Sequence, residues 1–139
     1  MEIKASDVKA LRNKTGAGMM DCKNVLVETN ADFAAAEKKL KELGLAAAAK
    51  RSGKAANEGR VFSKITDNCA ALVELSCETD FVARNEEFVE LGNTIVSKVA
   101  DSCTDQVTDA INTLVDDVKS RIKENMSLKR IRTDRKTVV

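Results

Sequence analysis

Apolar positions along this chain recur first at helical spacing, then in short strand-like runs, then at helical spacing again. Val8 and Leu11 share one face of a first helix, with Ser6 its expected cap and Asp7 in its first turn. Thr15-Gly16-Ala17-Gly18 ends that helix, because two glycines so close together favour a sharp turn. A second helix is predicted over Met20–Thr29, burying Cys22, Val25 and Leu26, and Asn30-Ala31-Asp32 then breaks and recaps the chain. The third sets Phe33, Ala36, Leu40 and Leu43 on one stripe, with Gly44 as its expected stop. The alanine-rich stretch Leu45–Lys50 reads as a further helix or a stiff connector, and Ser52-Gly53-Lys54 as the boundary of a first unit over residues 1–54.

The second unit, 55–139, opens with β-prone runs at Arg60–Thr66 and Cys69–Ser76, separated by Asp67-Asn68, a hairpin dipeptide that tolerates positive φ. A helix is predicted from Asn85 to Ala100, with Phe88, Leu91, Ile95, Val96 and Val99 on its stripe. Another is predicted over Asp105–Glu124, with Val107, Ala110, Ile111, Leu114, Val115, Val118 and Ile122 on its stripe. A final strand near Met126–Thr133 completes a small antiparallel sheet covered on one face by helices. The fold class is therefore α+β: a three-helix bundle followed by a small antiparallel sheet with packed helices.

Composition narrows the function classes. The chain has 139 residues, 43% hydrophobic and 32% charged, as in ordinary folded proteins. No apolar run approaches the roughly 18–20 residues of a transmembrane helix, and no signal peptide is visible, so a cytoplasmic location without membrane partners is expected. Cys22, Cys69, Cys77 and Cys103 form no C-x-x-C pair and the chain lacks histidine, which argues against a metal site and for reduced, partly buried thiols. Net charge is +3 over residues 1–59, −7 over 60–119 and +5 over 120–139. The acidic middle disfavours docking on nucleic acid. The basic run Lys129–Lys136 lacks stacking aromatics, so a solvated strand edge is expected there rather than an RNA site.

Candidate chemistry is sparse. Gly16-Ala17-Gly18-Met19-Met20-Asp21 has Asp21 where a dinucleotide loop carries its third glycine, and no strand precedes it, so no nucleotide or other cofactor is expected. Met19 and Met20 read instead as a flexible apolar tip suited to a partner surface, the competing role being to fill a gap between helices. Glu78 and Asp80 share a side if the strand continues through them. Without histidine or a nucleophile motif they read as a solvated acidic edge, not an active site, and no enzymatic activity is expected. Asp80-Phe81 falls on a strand-to-helix turn, where binding residues concentrate, although a buried Phe is the commoner outcome.

The run Val8–Lys23, followed by Glu78-Thr79-Asp80-Phe81-Val82-Ala83-Arg84-Asn85, resembles bacterial-type elongation factor Ts, the exchange-factor family for the GTPase elongation factor Tu. The resemblance implies a ubiquitin-associated-like first module whose Arg12, Met19 and Met20 face the partner's nucleotide-binding domain. It further implies that Asp80 and Phe81, flanked by Thr79 and Val82, wedge between the partner's helices and disturb its Mg²⁺ and phosphate site. Elongation factor Tu is then the partner, GDP release the activity, and the factor stays bound until GTP rebinds. A helical interaction module without exchange activity is the alternative. Family members usually continue past residue 139, so the chain is expected to be an amino-terminal portion that binds its partner weakly, with a homodimer only in a longer form. Ala31 stands where the family often has glycine.

Overall fold

The computed structural model describes residues 2–136; the remaining residues of the predicted second unit, 137–139, lie outside it. Three helices come first, α1 (Ala5–Thr15), α2 (Met19–Glu28) and α3 (Phe33–Arg51). A hairpin of β1 (Glu58–Ile65) and β2 (Cys69–Cys77) follows, then α4 (Asp80–Ala83), α5 (Glu86–Ser102), α6 (Asp109–Lys119) and β3 (Ser127–Arg135). The strands form one antiparallel sheet in the order β1-β2-β3, with a register shift between Glu74 and Leu75 where β3 pairs with β2. The expected α+β class therefore holds.

Buried side chains fall into two clusters. The smaller joins Leu11 of α1, Cys22, Val25 and Leu26 of α2, and Ala36 and Leu40 of α3. The larger packs the inner sheet residues Phe62, Ala71, Val73, Leu75 and Ile131 against Phe88, Leu91, Ile95, Val96 and Val99 of α5 and Ile111, Val115 and Val118 of α6. Alternate strand positions put Val61, Ile65 and Leu72 on the opposite, exposed sheet face. Gly92 lets the Phe62 ring lie directly on the α5 backbone, since a Cβ there would stand far inside contact distance of the ring.

Several local expectations are corrected. Ser6 lies inside α1 rather than capping it: Asp7 accepts the Lys4 N–H at 3.3 Å. Helix α3 runs straight through Gly44 to Arg51, and of its predicted stripe only Ala36 and Leu40 are buried, Phe33 and Leu43 being exposed. Gly44 serves a close approach instead, because a Cβ there would clash with the Ser120 carbonyl just past α6. Arg51 extends this seam, its Nη2 donating to the Ile122 carbonyl at 2.8 Å and the Lys119 carbonyl at 3.4 Å. Helix α6 starts at Asp109 and stops at Lys119, so Val107 is exposed ahead of it and Ile122 packs from the turn beyond. The hairpin turn uses no positive φ at Asp67 or Asn68; the Thr66 hydroxyl accepts the Cys69 N–H at 3.1 Å.

The cysteine expectation is corrected as well. Cys69, at the start of β2, is disulfide-bonded to Cys103, which caps α5 with φ 47°, while Cys22 and Cys77 are free and buried. Spacing in sequence gave no hint of this pairing, because the contact exists only once α5 has packed across β2.

Asn30 and Ala31 both adopt positive φ, 52° and 62°, where the chain leaves α2 and turns into the Asp32 cap of α3. An L-side chain pays a steric penalty there that glycine avoids. Ala31→Gly is therefore expected to stabilise the fold by roughly 0.5 kcal/mol, the relief of strain exceeding the added unfolded-state entropy. Urea denaturation of the two proteins checks this, and a destabilised variant would contradict it.

Candidate functional site

Strand β2 ends at Cys77, and the chain turns through Glu78 and Thr79 into a single helical turn. Thr79 caps that turn: its hydroxyl oxygen accepts the Val82 N–H at 3.4 Å. The turn closes where Arg84 N–H donates to the Asp80 and Phe81 carbonyls, and Asn85 immediately caps α5 by accepting the Glu87 N–H at 2.9 Å. Helix α4 is thus one turn between two side-chain caps. Its inner face is Ala83, which is buried, and Val82, which is half-buried against the larger cluster. Its outer face is Phe81, 81% exposed, the most exposed of the large apolar side chains described.

Asp80 stands beside this ring and pairs with Arg84 one turn on, at 3.2 Å. Such an exposed pair adds little stability, but it holds the carboxylate on the same outer surface as Phe81. Glu78 does not form an acidic edge with Asp80 as expected. The strand stops before it, and its carboxylate turns inward to accept the Asn125 N–H at 3.2 Å.

Sequence reasoning missed the turn that backs this site. Glu124 lies just before β3, and its carboxylate accepts two hydrogen bonds from Thr79: from the backbone N–H at 3.0 Å and from the hydroxyl at 2.6 Å. Asn125 adds a third link through Glu78, and its own amide donates to the carbonyls of Lys54 at 2.6 Å and Ser52 at 3.4 Å. Lys123-Glu124-Asn125 has no apolar period and no motif, so nothing local marks it. Beneath Thr79, the buried Cys77 thiol contacts the Thr79 carbonyl at 3.1 Å. Burial pushes that thiol up, and the nearby Glu124 charge pushes it further.

The second group of predicted residues sits on the smaller cluster. Arg12 is exposed in the last turn of α1, and Met19 and Met20 open α2 with 51% and 64% exposure. Neither methionine fills a gap between helices. No hydrogen bond or ion pair joins this group to Thr79–Val82 among the described residues; the two are related through the α3–α6 seam. The cleft beside that seam, about 520 Å³, is lined in part by two ion pairs, Lys14 with Glu37 at 2.8 Å and Lys41 with Asp117 at 2.9 Å. The Lys41 ammonium bonded to Asp117 holds that carboxyl below its usual range. Among the described residues no group of three or more Cys, Asp or Glu is placed to hold a metal, and no helix is long and apolar enough to cross a membrane.

What the site offers is an exposed apolar ring beside an exposed carboxylate on one outer turn. A sequence model described as Elongation factor TS matches residues 78–138, which take in both the Phe81 turn and the Glu124 turn behind it. The Elongation factor Ts of Treponema denticola is 47% identical over 131 residues, 94% of this chain and 47% of that protein. That of Borrelia hermsii is 43% identical over 131 residues, again 94% of this chain and 47% of its own length. That of Fervidobacterium nodosum is 53% identical over 102 residues, 72% of this chain and 52% of its own length. The chain belongs to the elongation factor Ts family. It spans about half the length of the elongation factor Ts relatives it matches. Arg12, Met19 and Met20 precede the stretch that the family model of elongation factor Ts covers.

Proposed function

We propose that this chain is a guanine nucleotide exchange factor of translation elongation, working in the cytoplasm on elongation factor Tu and breaking no covalent bond. Family membership supports the translational role, and the observation that carries the mechanism is Phe81, 81% exposed on a turn capped at both ends. A large apolar side chain left in water has its burial energy still available for a partner. Seated between helices of the GTPase, it favours an arrangement in which the ligands of Mg²⁺ and phosphate no longer converge. Asp80 adds a negative charge that the phosphates repel, so the chain itself does not compete as a phosphate binder. Thr79 and Val82 hold the turn, and Arg12, Met19 and Met20 make a second contact with the nucleotide-binding domain, the methionines adapting to its surface.

Full burial of Phe81 favours the complex by roughly 1.5–3 kcal/mol, comparable with the 1–3 kcal/mol typical of coupling between two sites. Linkage is reciprocal: a factor that weakens nucleotide binding is itself weakened by nucleotide. GDP leaves as the factor binds, and incoming GTP drives the factor off.

The test mixes the chain with elongation factor Tu loaded with fluorescent GDP and follows nucleotide release. Release is expected to accelerate, and Phe81→Ala to cut the acceleration roughly 10-fold or more, as loss of about 1.5 kcal/mol or more implies. Acceleration untouched by Phe81→Ala and Asp80→Ala would refute the wedge. Binding without any acceleration would favour the helical interaction module instead.

A further inference from the structure

We infer that Glu124 is a positioning residue for Phe81, fixing from behind the direction in which the ring leaves the protein; the inference rests on the exchange-factor reading above. The Phe81 ring is too exposed to be oriented by its own contacts. Its direction is inherited from the backbone of α4, and a helix of one turn does not hold its shape alone. Val82 and Ala83 anchor the far side of that turn in the larger cluster. At the near side the anchor is Thr79, and Glu124 holds Thr79 at two points.

The choice of side chain supports a positioning role over simple filling. What a carboxylate provides is two acceptor oxygens in one plane, able to take the Thr79 N–H and hydroxyl together. Those two bonds fix both the backbone and the χ1 of Thr79, and the same hydroxyl oxygen accepts the Val82 N–H that starts α4. The reciprocal bond, Asn125 N–H to Glu78, clamps the preceding residue from the same turn. Two loops some 45 residues apart are thereby locked in register at the base of the wedge.

The experiment combines function with hydrogen exchange on the full chain. Glu124→Ala is expected to reduce stimulated GDP release by about the same factor as Phe81→Ala. The double variant should be no worse than Phe81→Ala alone, because both act through one ring. Glu124→Gln, which keeps one acceptor oxygen, should fall between, and Thr79→Ser, which keeps both donors, should stay near the parent. In the absence of partner, Glu124→Ala should raise amide exchange at Phe81–Arg84 at least 10-fold while Val73 and Leu75 in β2 keep their protection. Losses that multiply in the double variant, or normal release from Glu124→Ala beside an impaired Phe81→Ala, would overturn the inference and leave the exchange-factor reading standing. If Phe81→Ala were itself silent, that reading would fail, and unchanged amide exchange at Phe81–Arg84 in Glu124→Ala would independently overturn the positioning role.

Discussion

Reducing the Cys69–Cys103 disulfide is expected to lower the midpoint of thermal unfolding by roughly 10–15 °C. The bridge joins residues 34 apart and closes a loop containing β2, α4 and all of α5, so it restricts the unfolded chain over the segment that bears Phe81. Loop-closure entropy for that length contributes about 4 kcal/mol, a large share of the 5–15 kcal/mol by which native proteins usually outlast unfolding. Cys69 is fully buried and Cys103 half-buried, so reduction under partly denaturing conditions followed by refolding ensures that the bridge is opened. Thiol titration of the unfolded chain should find the two free cysteines before reduction and all four after it. A midpoint that stays within about 3 °C once four thiols are counted would contradict the expectation. Cytoplasm is a reducing compartment, so the proposed setting favours the dithiol form, and the same measurement gives the stability that form works with.

Phe88→Ala is expected to destabilise the protein by about 3–5 kcal/mol, because it removes a fully buried aromatic from the centre of the larger cluster. Phe88 lies 6.4 Å from Phe62, ring centre to ring centre and tilted by 52°, and Phe62 in turn lies over Gly92. Truncation leaves a cavity under the sheet that the tight Phe62–Gly92 contact cannot collapse to fill. Phe81→Ala provides the internal control. It removes the same benzyl group seven positions earlier, from a site 81% in water, and should change stability by no more than about 0.5 kcal/mol. Urea denaturation of both variants decides the matter: a Phe88→Ala cost below about 1.5 kcal/mol would refute the packing argument.

Much of the architecture was readable where the deciding contacts are local. Strands β1 and β2 and helix α5 lie within two residues of their expected bounds, because period-two and period-3.6 burial are written in adjacent residues. The Phe81 turn was locatable for the same reason: a strand-like run ends just before it and a helix begins at Asn85 just after it. The misses share the opposite property. Gly44 looks like a helix stop until Ser120 comes to lie against it, and Cys69 looks like an ordinary apolar thiol until the end of α5 reaches it. Glu124 looks like one more surface acid, since the two groups it binds are 45 positions away. The break at Asn30-Ala31-Asp32 was legible without a glycine, and only the positive φ of its first two residues was not.

The unbroken run of α3 has a thermodynamic corollary. One end of this rod supplies Ala36 and Leu40 to a cluster of six buried side chains, and the other is fastened by Arg51 to the Lys119 and Ile122 carbonyls at and beyond the end of α6. So few buried groups give the helical tip little cohesion of its own, and the rod lends it the rigidity of the sheet. The surface carrying Met19 and Met20 is therefore expected to unfold together with the far end of α3 rather than on its own.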